Sequence, residues 1–171
     1  PAGIKASLED ALRKDMPGTG VIQVVFQGKM PGTAGHRGGT IDIAVFDHGK
    51  RNIMVIELKD GDTFDTKKSS GELENMTLFA GWIAGNTGYD ATYYFCSFNQ
   101  DDKDAIVTGA KGRFDVSHAM TGRELCDILT IDYDALREKR QSQQSENLRY
   151  FLVELLKIQN IRQLVKEILN K

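Results

Sequence analysis

Three charged residues, Asp42, Glu57 and Lys59, stand in segments that are otherwise apolar. The segment 52–59 (NIMVIELK) has apolar residues at both alternating sets of positions, which is typical of a buried central strand. Glu57 and Lys59 share one face at the end of this strand, because side chains alternate with period two. Asp42 lies between two isoleucines in a second predicted strand. Burying such charges is costly unless something compensates them, so the pattern indicates a functional site.

If the two strands pair as a hairpin, the carboxylates of Asp42 and Glu57 lie side by side, where they repel and raise each other's pKa. A divalent cation removes this penalty, and carboxylate oxygens favour Mg²⁺, with Mn²⁺ as a substitute. Such a cation would stabilise the charge that develops on a phosphate during hydrolysis and lower the pKa of a bound water. Lys59 could position or deprotonate that water, or neutralise a phosphate oxygen. The three residues therefore predict metal-dependent phosphodiester hydrolysis; the alternative is a structural ion pair between Glu57 and Lys59.

The segment GTID (39–42), followed fifteen residues after its aspartate by ELK (57–59), resembles the PD-(D/E)xK signature of restriction-endonuclease-like nucleases. Isoleucine stands where the family name has proline. The resemblance implies that Asp42, Glu57 and the backbone carbonyl of Leu58 ligate the metal and that Lys59 is the catalytic lysine. It also makes Glu9, on the first predicted helix, a candidate ligand. The segments 57–73 and 120–136 are in addition similar to small type II restriction enzymes.

We therefore expect a magnesium-dependent endonuclease that acts on double-stranded DNA, and within that class a type II restriction enzyme that cuts at a short specific site. The alternatives are another nuclease on the same fold, such as a junction resolvase, a repair nuclease or a phage nuclease, and a non-catalytic DNA-binding module. Cutting both strands at a symmetric site usually needs two active sites related by a twofold axis. We therefore expect a homodimer on DNA, with the apolar C-terminal helices as the added interface.

Basic residues elsewhere in the chain are candidates for DNA contact. Lys67 and Lys68 precede a predicted helix, where the helix dipole disfavours cations, so they could grip a phosphate together with the free amides of the helix. The alternative is a solvated loop. His36 and Arg37 lie in the glycine-rich loop 28–39 that leads into the first acidic residue, and Arg37 could contact a phosphate or a guanine edge. A later basic stretch could line the DNA cleft, with the members Lys111, Arg113, His118 and Arg123.

The elements that must position these residues follow from apolar periodicity and turn residues. A helix is predicted over 4–16, strands over 21–26, 40–46, 52–59 and 91–98, and further helices over about 121–129, 133–141, 145–158 and 160–170. Another helix begins near Ser69, which forms a capping-box pattern with Glu72, and closes at Gly85 and Asn86. Residues 99–119 carry no clear pattern.

This order indicates an α/β fold with a restriction-endonuclease-like core, in which a mixed central sheet is flanked by helices and followed by additional C-terminal helices. We expect a single nuclease domain over residues 1–171. Its core (1–98) holds the active site, and residues 99–171 form a helical C-terminal elaboration.

The composition is that of a soluble globular domain: 171 residues, 40% apolar and 27% charged, with a net charge of −2. Residues 137–171 hold eight basic and four acidic residues, a net charge of +4. The positive charge is therefore concentrated in this segment, although the whole chain is slightly negative. Cys96 and Cys126 match no metal-binding spacing and indicate two core thiols in a reducing cytoplasm, with a single disulfide as the alternative. No apolar stretch is long enough to span a membrane, and the N-terminus does not resemble a signal peptide, so we expect a cytoplasmic protein.

Overall fold

The computed structural model describes residues 5, 8, 22–32, 38–61 and 66–169. Of the predicted first helix, Lys5 and Leu8 are described and both are helical. Glu9, His36 and Arg37 lie outside the described residues. The chain divides into two compact units, Pro1–Tyr133 and Asp134–Lys171.

In the described part of the chain, five strands form one mixed sheet in the order β1-β2-β3-β4-β5. Their bounds are Ile22–Phe26 (β1), Ile43–Asp47 (β2), Asn52–Lys59 (β3), Asp90–Ser97 (β4) and Ala119–Thr121 (β5). The pairs β1–β2 and β2–β3 are antiparallel, whereas β3–β4 and β4–β5 are parallel. The predicted hairpin of β2 and β3 is therefore confirmed, and so is the mixed sheet of an α/β fold.

Strand β2 begins at Ile43, three residues later than predicted. Residues 27–30 still hydrogen-bond to the backbone of residues 39–42, which extends the pairing on the β1 side. On the β3 side, the side chain of Asp42 accepts the N–H of Leu58 at 3.0 Å, two residues beyond the last β2–β3 pair. The Leu58 N–H is thus bound by the Asp42 side chain and not by a backbone carbonyl of β2. Asp42 therefore lies just before the strand and not within it.

Helix α1 (Thr66–Thr87) crosses from β3 to the parallel strand β4, as parallel pairing requires. It begins three residues earlier than predicted, so the capping box of Ser69 and Glu72 was wrong. The Glu72 carboxylate instead accepts a charge-assisted hydrogen bond from the Lys59 ammonium, which is stronger than a cap bond to a neutral amide. Lys67 and Lys68 consequently lie in the first turn of the helix and not before it; their side chains lie outside the described part of the chain.

The end of α1 also lies later than predicted, at Thr87 and not at Gly85-Asn86. The next residue, Gly88, has φ +66°, a left-handed conformation that glycine adopts without the steric cost of a Cβ. The terminating glycine is therefore Gly88, and Gly85 lies within the helix.

The central strands β2 and β3 have buried side chains on both faces, as the apolar pattern of β3 predicted. One face packs against α1 in a single apolar cluster that includes Ala44, Ile53, Val55, Met76, Phe79, Ala80, Ile83 and Phe95. The opposite face carries fully buried side chains, namely Ile43, Val45, Ile56, Leu58 and Cys96. Each large apolar side chain buried in this way contributes roughly 1.5–3 kcal/mol. This packing fixes the positions of β3 and α1, the two elements that carry most of the site.

Residues 99–119, for which the sequence predicted no element, contain helix α2 (Lys103–Gly109) and a 3₁₀ helix (Val116–His118), and β5 begins at the end of this segment. Helix α3 (Gly122–Ile128) follows β5 directly and packs beside β4 and β5. A three-residue strand is too short to show an alternating pattern, which explains why β5 was missed.

The second unit consists mainly of helix α4 (Tyr133–Lys157), which begins at the last residue of the first unit, and helix α5 (Gln159–Leu169). The predicted helices 133–141 and 145–158 form one continuous helix. The polar segment 141–147 is exposed throughout and contains neither glycine nor proline, so nothing in it interrupts the helix. Within the described residues, no helix combines the length and apolar character needed to cross a membrane.

Candidate active site

The two predicted carboxylates face the same cavity. The last pair of the β2–β3 register joins Ile43 to Ile56, and Asp42 and Glu57 are the next residues beyond this pair. Both residues line an open cavity of about 500 Å³, together with Lys5, Gln27, Thr40, Ile41, Glu72, Asn75 and Met76. Their side chains are only 16% and 14% exposed. The structure thus brings together two acidic residues that are fifteen positions apart in the chain.

Lys59 joins this cluster through its ammonium group. Its Nζ lies 2.7 Å from Oε1 of Glu57 and 2.6 Å from Oε1 of Glu72. Burial alone lowers the pKa of Lys59, but the hydrogen bonds to Glu57 and Glu72 outweigh burial and raise the pKa above its ordinary value. Lys59 is therefore a cation at neutral pH. This state suits positioning a water or neutralising a phosphate oxygen, and it does not suit accepting a proton.

The pKa of the Glu57 carboxyl is raised above its ordinary value. Burial raises the pKa of Glu57 to about 7, the Lys59 hydrogen bond opposes this rise, and the nearby charges of Asp42 and Glu72 add to it. The sequence predicted a rise caused by repulsion between the two carboxylates, but at Glu57 burial is the larger cause and the charge of Asp42 only adds to it. Because burial disfavours the ionised form of Glu57, binding of a metal cation beside this carboxyl would release its proton.

Asp42 is held by two contacts that the sequence did not predict. Its Oδ1 accepts a hydrogen bond from Nζ of Lys5 at 2.6 Å, and its Oδ2 accepts the Leu58 N–H at 3.0 Å. The Lys5 side chain is 14% exposed, so this ion pair is largely removed from solvent. The contact at Leu58 is made by its amide nitrogen, and metal ligation by its carbonyl oxygen stays a prediction.

Sequence reasoning missed Lys5 and Glu72 as members of the site. The position of Glu72 in the sequence could have indicated its role. It precedes the buried Met76 by one helical turn, which places an acidic residue on the apolar face of α1. Lys5 carried no such indication, since a lysine three residues before Leu8 is ordinary at the flank of an amphipathic helix.

The residues present could hold a metal ion through a small number of protein ligands. Among residues 22–32, 38–61, 66–169 and the two described positions of the first helix, no three His, Cys, Asp or Glu side chains form a group suited to a metal ion. Asp42 and Glu57 place two carboxylates at the cavity. This number fits Mg²⁺, which usually takes one or two protein carboxylates and keeps several waters.

One of the predicted DNA contacts, Arg123, follows a strand position that lies in the same row of the sheet as Lys59. Lys59 pairs with Ser97, and Ser97 pairs with Thr121, so these three positions form one row across the sheet. Arg123 follows Thr121 by two residues, in the first turn of α3. Its guanidinium lies 4.7 Å from the centre of the Tyr133 ring, which holds the cation in place.

The other members of the basic stretch have different positions. Lys111 and Arg113 lie in the turn after α2, before the amino end of β5, whereas the row of Lys59 lies at its carboxyl end. His118 stacks on Tyr93 with ring centres 4.0 Å apart, and its Nδ1 donates to the Tyr93 carbonyl oxygen at 2.9 Å. These contacts hold the His118 ring against β4.

No family model matches the chain. Over 117 residues, or 68% of its length, the chain is 46% identical to the type II restriction enzyme HhaII of Haemophilus parahaemolyticus. The chain spans about half (52%) of the length of that relative. Across two thirds of its own residues, this protein is therefore similar to a type II restriction enzyme.

Proposed function

We propose that this chain is a type II restriction endonuclease that hydrolyses double-stranded DNA with Mg²⁺, within a restriction-endonuclease-like core. The observation that carries the proposal is the placement of Asp42 and Glu57 at one cavity, with the Lys59 ammonium on Glu57. The similarity to a restriction enzyme over 68% of the chain supports the same reaction. We propose one nuclease domain in the cytoplasm, where the two free, buried cysteines would stay reduced.

Asp42 and Glu57 would hold the cation. Both are hard oxygen ligands. Burial raises the pKa of Glu57 to about 7 even with the Lys59 ammonium in contact, so a divalent cation beside Glu57 would further stabilise its ionised form. Leu58 would contribute its carbonyl oxygen. Glu9 is a further candidate ligand, outside the described residues.

In the proposed reaction, the protein residues orient the phosphate and its attacking water. When bound, Mg²⁺ would supply positive charge against the negative charge that develops on the phosphate. Lys59, which is charged at neutral pH, would donate hydrogen bonds to the water or to a phosphate oxygen and so fix its position. Asp42 and Glu57 would keep their carboxylates at the cavity because both residues flank the last β2–β3 pair and Asp42 accepts the Leu58 N–H.

DNA would bind across the carboxyl ends of β3, β4 and β5. We propose that Arg123 contacts a phosphate there, because it follows the strand position in register with Ser97 and Lys59. His36, Arg37, Lys67, Lys68, Lys111 and Arg113 remain predicted contacts.

We also propose a homodimer on DNA, with contacts made by the second unit. Within that unit, large apolar side chains are exposed along α4 and just after it: Leu148, Tyr150, Phe151, Leu152, Val153, Leu156 and Ile158. Apolar clusters of this kind commonly mark interfaces between proteins.

The test is a digest of a sequenced plasmid with and without Mg²⁺. A restriction enzyme gives discrete bands that depend on the metal. Cleavage confined to branched DNA would instead indicate a junction resolvase, and binding without any cleavage would indicate a non-catalytic module.

A further inference from the structure

We propose that Glu72 is a positioning residue of the cleavage reaction, which holds the Lys59 ammonium in place when Glu57 turns to the metal ion. This inference rests on the proposed function and adds to the site a residue that lies outside the Asp-Glu-Lys signature. Glu72 acts through Lys59 and is not proposed to contact the DNA or the cation.

The contacts of Lys59 show two carboxylates sharing one ammonium. Nζ of Lys59 is 2.6 Å from Oε1 of Glu72 and 2.7 Å from Oε1 of Glu57, so the two bonds are equivalent in length. The side chains of Lys59 and Glu72 are 23% and 22% exposed, so solvent weakens this pair little. Charge-assisted hydrogen bonds of this length are among the stronger contacts that a lysine makes.

The two partners of Lys59 come from different elements. Glu57 lies on the same strand and needs its carboxylate for the proposed metal ion. Glu72 lies on α1, one turn before Met76, which is fully buried in the same apolar cluster as Val55. This packing fixes the position of the Glu72 backbone and Cβ relative to β3. Glu72 is therefore a rigid support for Lys59.

A single carboxylate cannot serve both purposes well. If Glu57 uses its oxygens for a divalent cation, the positive charge of that cation weakens the bond from Glu57 to the ammonium. Without a second acceptor, Lys59 would be left as a largely buried cation beside another cation, which is costly. Glu72 removes this cost and keeps the ammonium at the end of β3, where a phosphate oxygen would bind.

The charge balance of the described site supports the same role. Asp42, Glu57 and Glu72 provide three negative charges when ionised, and Lys5 and Lys59 provide two positive charges. A divalent cation then leaves a net charge of about +1, which matches the single negative charge of a phosphodiester. Without Glu72, the loaded site would carry an excess of positive charge.

The experiment compares Glu72→Gln and Glu72→Asp with Glu74→Gln, a matched control on an exposed position of the same helix. Glu72→Gln should lower kcat by about 10- to 100-fold, as loss of an outer supporting partner typically does, and leave KM for DNA nearly unchanged. Glu72→Asp keeps the charge and should recover part of the loss. Glu74→Gln should behave as wild type.

A second readout uses the metal-free protein and does not depend on cleavage. In urea unfolding, Glu72→Gln and Lys59→Met remove the same contact, so the double variant should lose less stability than the sum of the two single variants. The pair of Glu74→Gln and Lys59→Met should be additive. The Mg²⁺ affinity, measured from melting temperatures, should stay near that of wild type in Glu72→Gln and fall strongly in Asp42→Asn.

Three results would overturn the proposal: unchanged kcat in Glu72→Gln, an additive cycle with Lys59→Met, or a loss of Mg²⁺ affinity equal to that of Asp42→Asn. The last result would make Glu72 a metal ligand. A wild-type protein that cuts no DNA would refute the proposed function instead. If Glu72→Gln and Lys59→Met were still non-additive in urea unfolding, Glu72 would then be only a structural partner of Lys59.

Discussion

Replacing Glu57 with glutamine removes a carboxyl whose pKa is raised from 4.5 to about 7, chiefly by burial and further by the charges of Asp42 and Glu72. Between these two values, the folded protein holds a proton on Glu57 and the unfolded chain does not. The stability that Glu57 contributes is therefore fully present below about pH 4.5 and is lost as the pH rises through about 7. Metal-free wild type should lose this contribution on going to alkaline pH, and Glu57→Gln should not.

The magnitude follows from the size of the pKa shift. A gap of about two and a half units corresponds to roughly 3 kcal/mol at about 1.4 kcal/mol per unit. The side chain is 14% exposed, so solvent reduces this value little. Between about pH 5 and about pH 8, the change in the free energy of unfolding should be about 2.5 kcal/mol.

The assay is urea unfolding with a chelator present at about pH 5 and about pH 8. The wild type is compared with Glu57→Gln at each pH, so that the titration of groups that do not interact with Glu57 cancels in the difference. Relative to this variant, the wild type should lose about 2.5 kcal/mol between the two pH values. The exposed control Glu74→Gln should follow the wild type.

A difference that does not change with pH would refute the raised pKa. A wild type that gains stability over the variant with rising pH would mean that the Lys59 ammonium holds the pKa of Glu57 below its ordinary value. Glu57 and Lys59 would then form a structural ion pair, which is the alternative that the sequence left open.

Three further predictions test the surroundings of the site. Asp42→Asn leaves the Lys5 ammonium largely buried without its carboxylate, so the free energy of unfolding of the metal-free protein in urea should fall by about 2 to 3 kcal/mol. Adding Lys5→Met should restore most of this stability. An unchanged stability of Asp42→Asn would argue against the ion pair. Replacing Lys67 and Lys68 with alanine should reduce the slope of log K for DNA against log salt by about one or two, and an unchanged slope would return them to a solvated surface. Phe151→Glu places a charge on the exposed apolar part of α4, so light scattering of the DNA complex should show one chain per site in place of two, and an intact dimer would place the interface elsewhere.

The central part of the fold could be predicted because its signals are local and strong. Strand β3 is apolar on both faces until Glu57, and its hairpin with β2 follows from the short polar turn between them. The same pattern located Asp42, Glu57 and Lys59, because a charge in a buried strand is conspicuous in the sequence. The structure then placed both acids at one cavity.

The partners of these residues could not be predicted because they depend on packing between distant elements. Lys5 reaches Asp42, and Glu72 reaches Lys59, only after helices have docked on the sheet. For Glu72, the local sequence suggested a different partner, because its position three residues after Ser69 matches a capping box. The ammonium of Lys59 is the stronger partner. Strand β5 was not predicted because three residues are too few to show an alternating pattern. These residues are extended because they pair with β4.

The most direct test of the account is a cleavage and binding comparison of wild type with Asp42→Asn, Glu57→Gln and Lys59→Ala on a plasmid that contains a recognised site. Wild type should give discrete fragments only when Mg²⁺ is present. Each variant should cut at least about a thousandfold more slowly and still bind the same DNA with nearly unchanged affinity. A Glu57→Gln protein that cuts at the wild-type rate would contradict the assignment of this cluster as the active site.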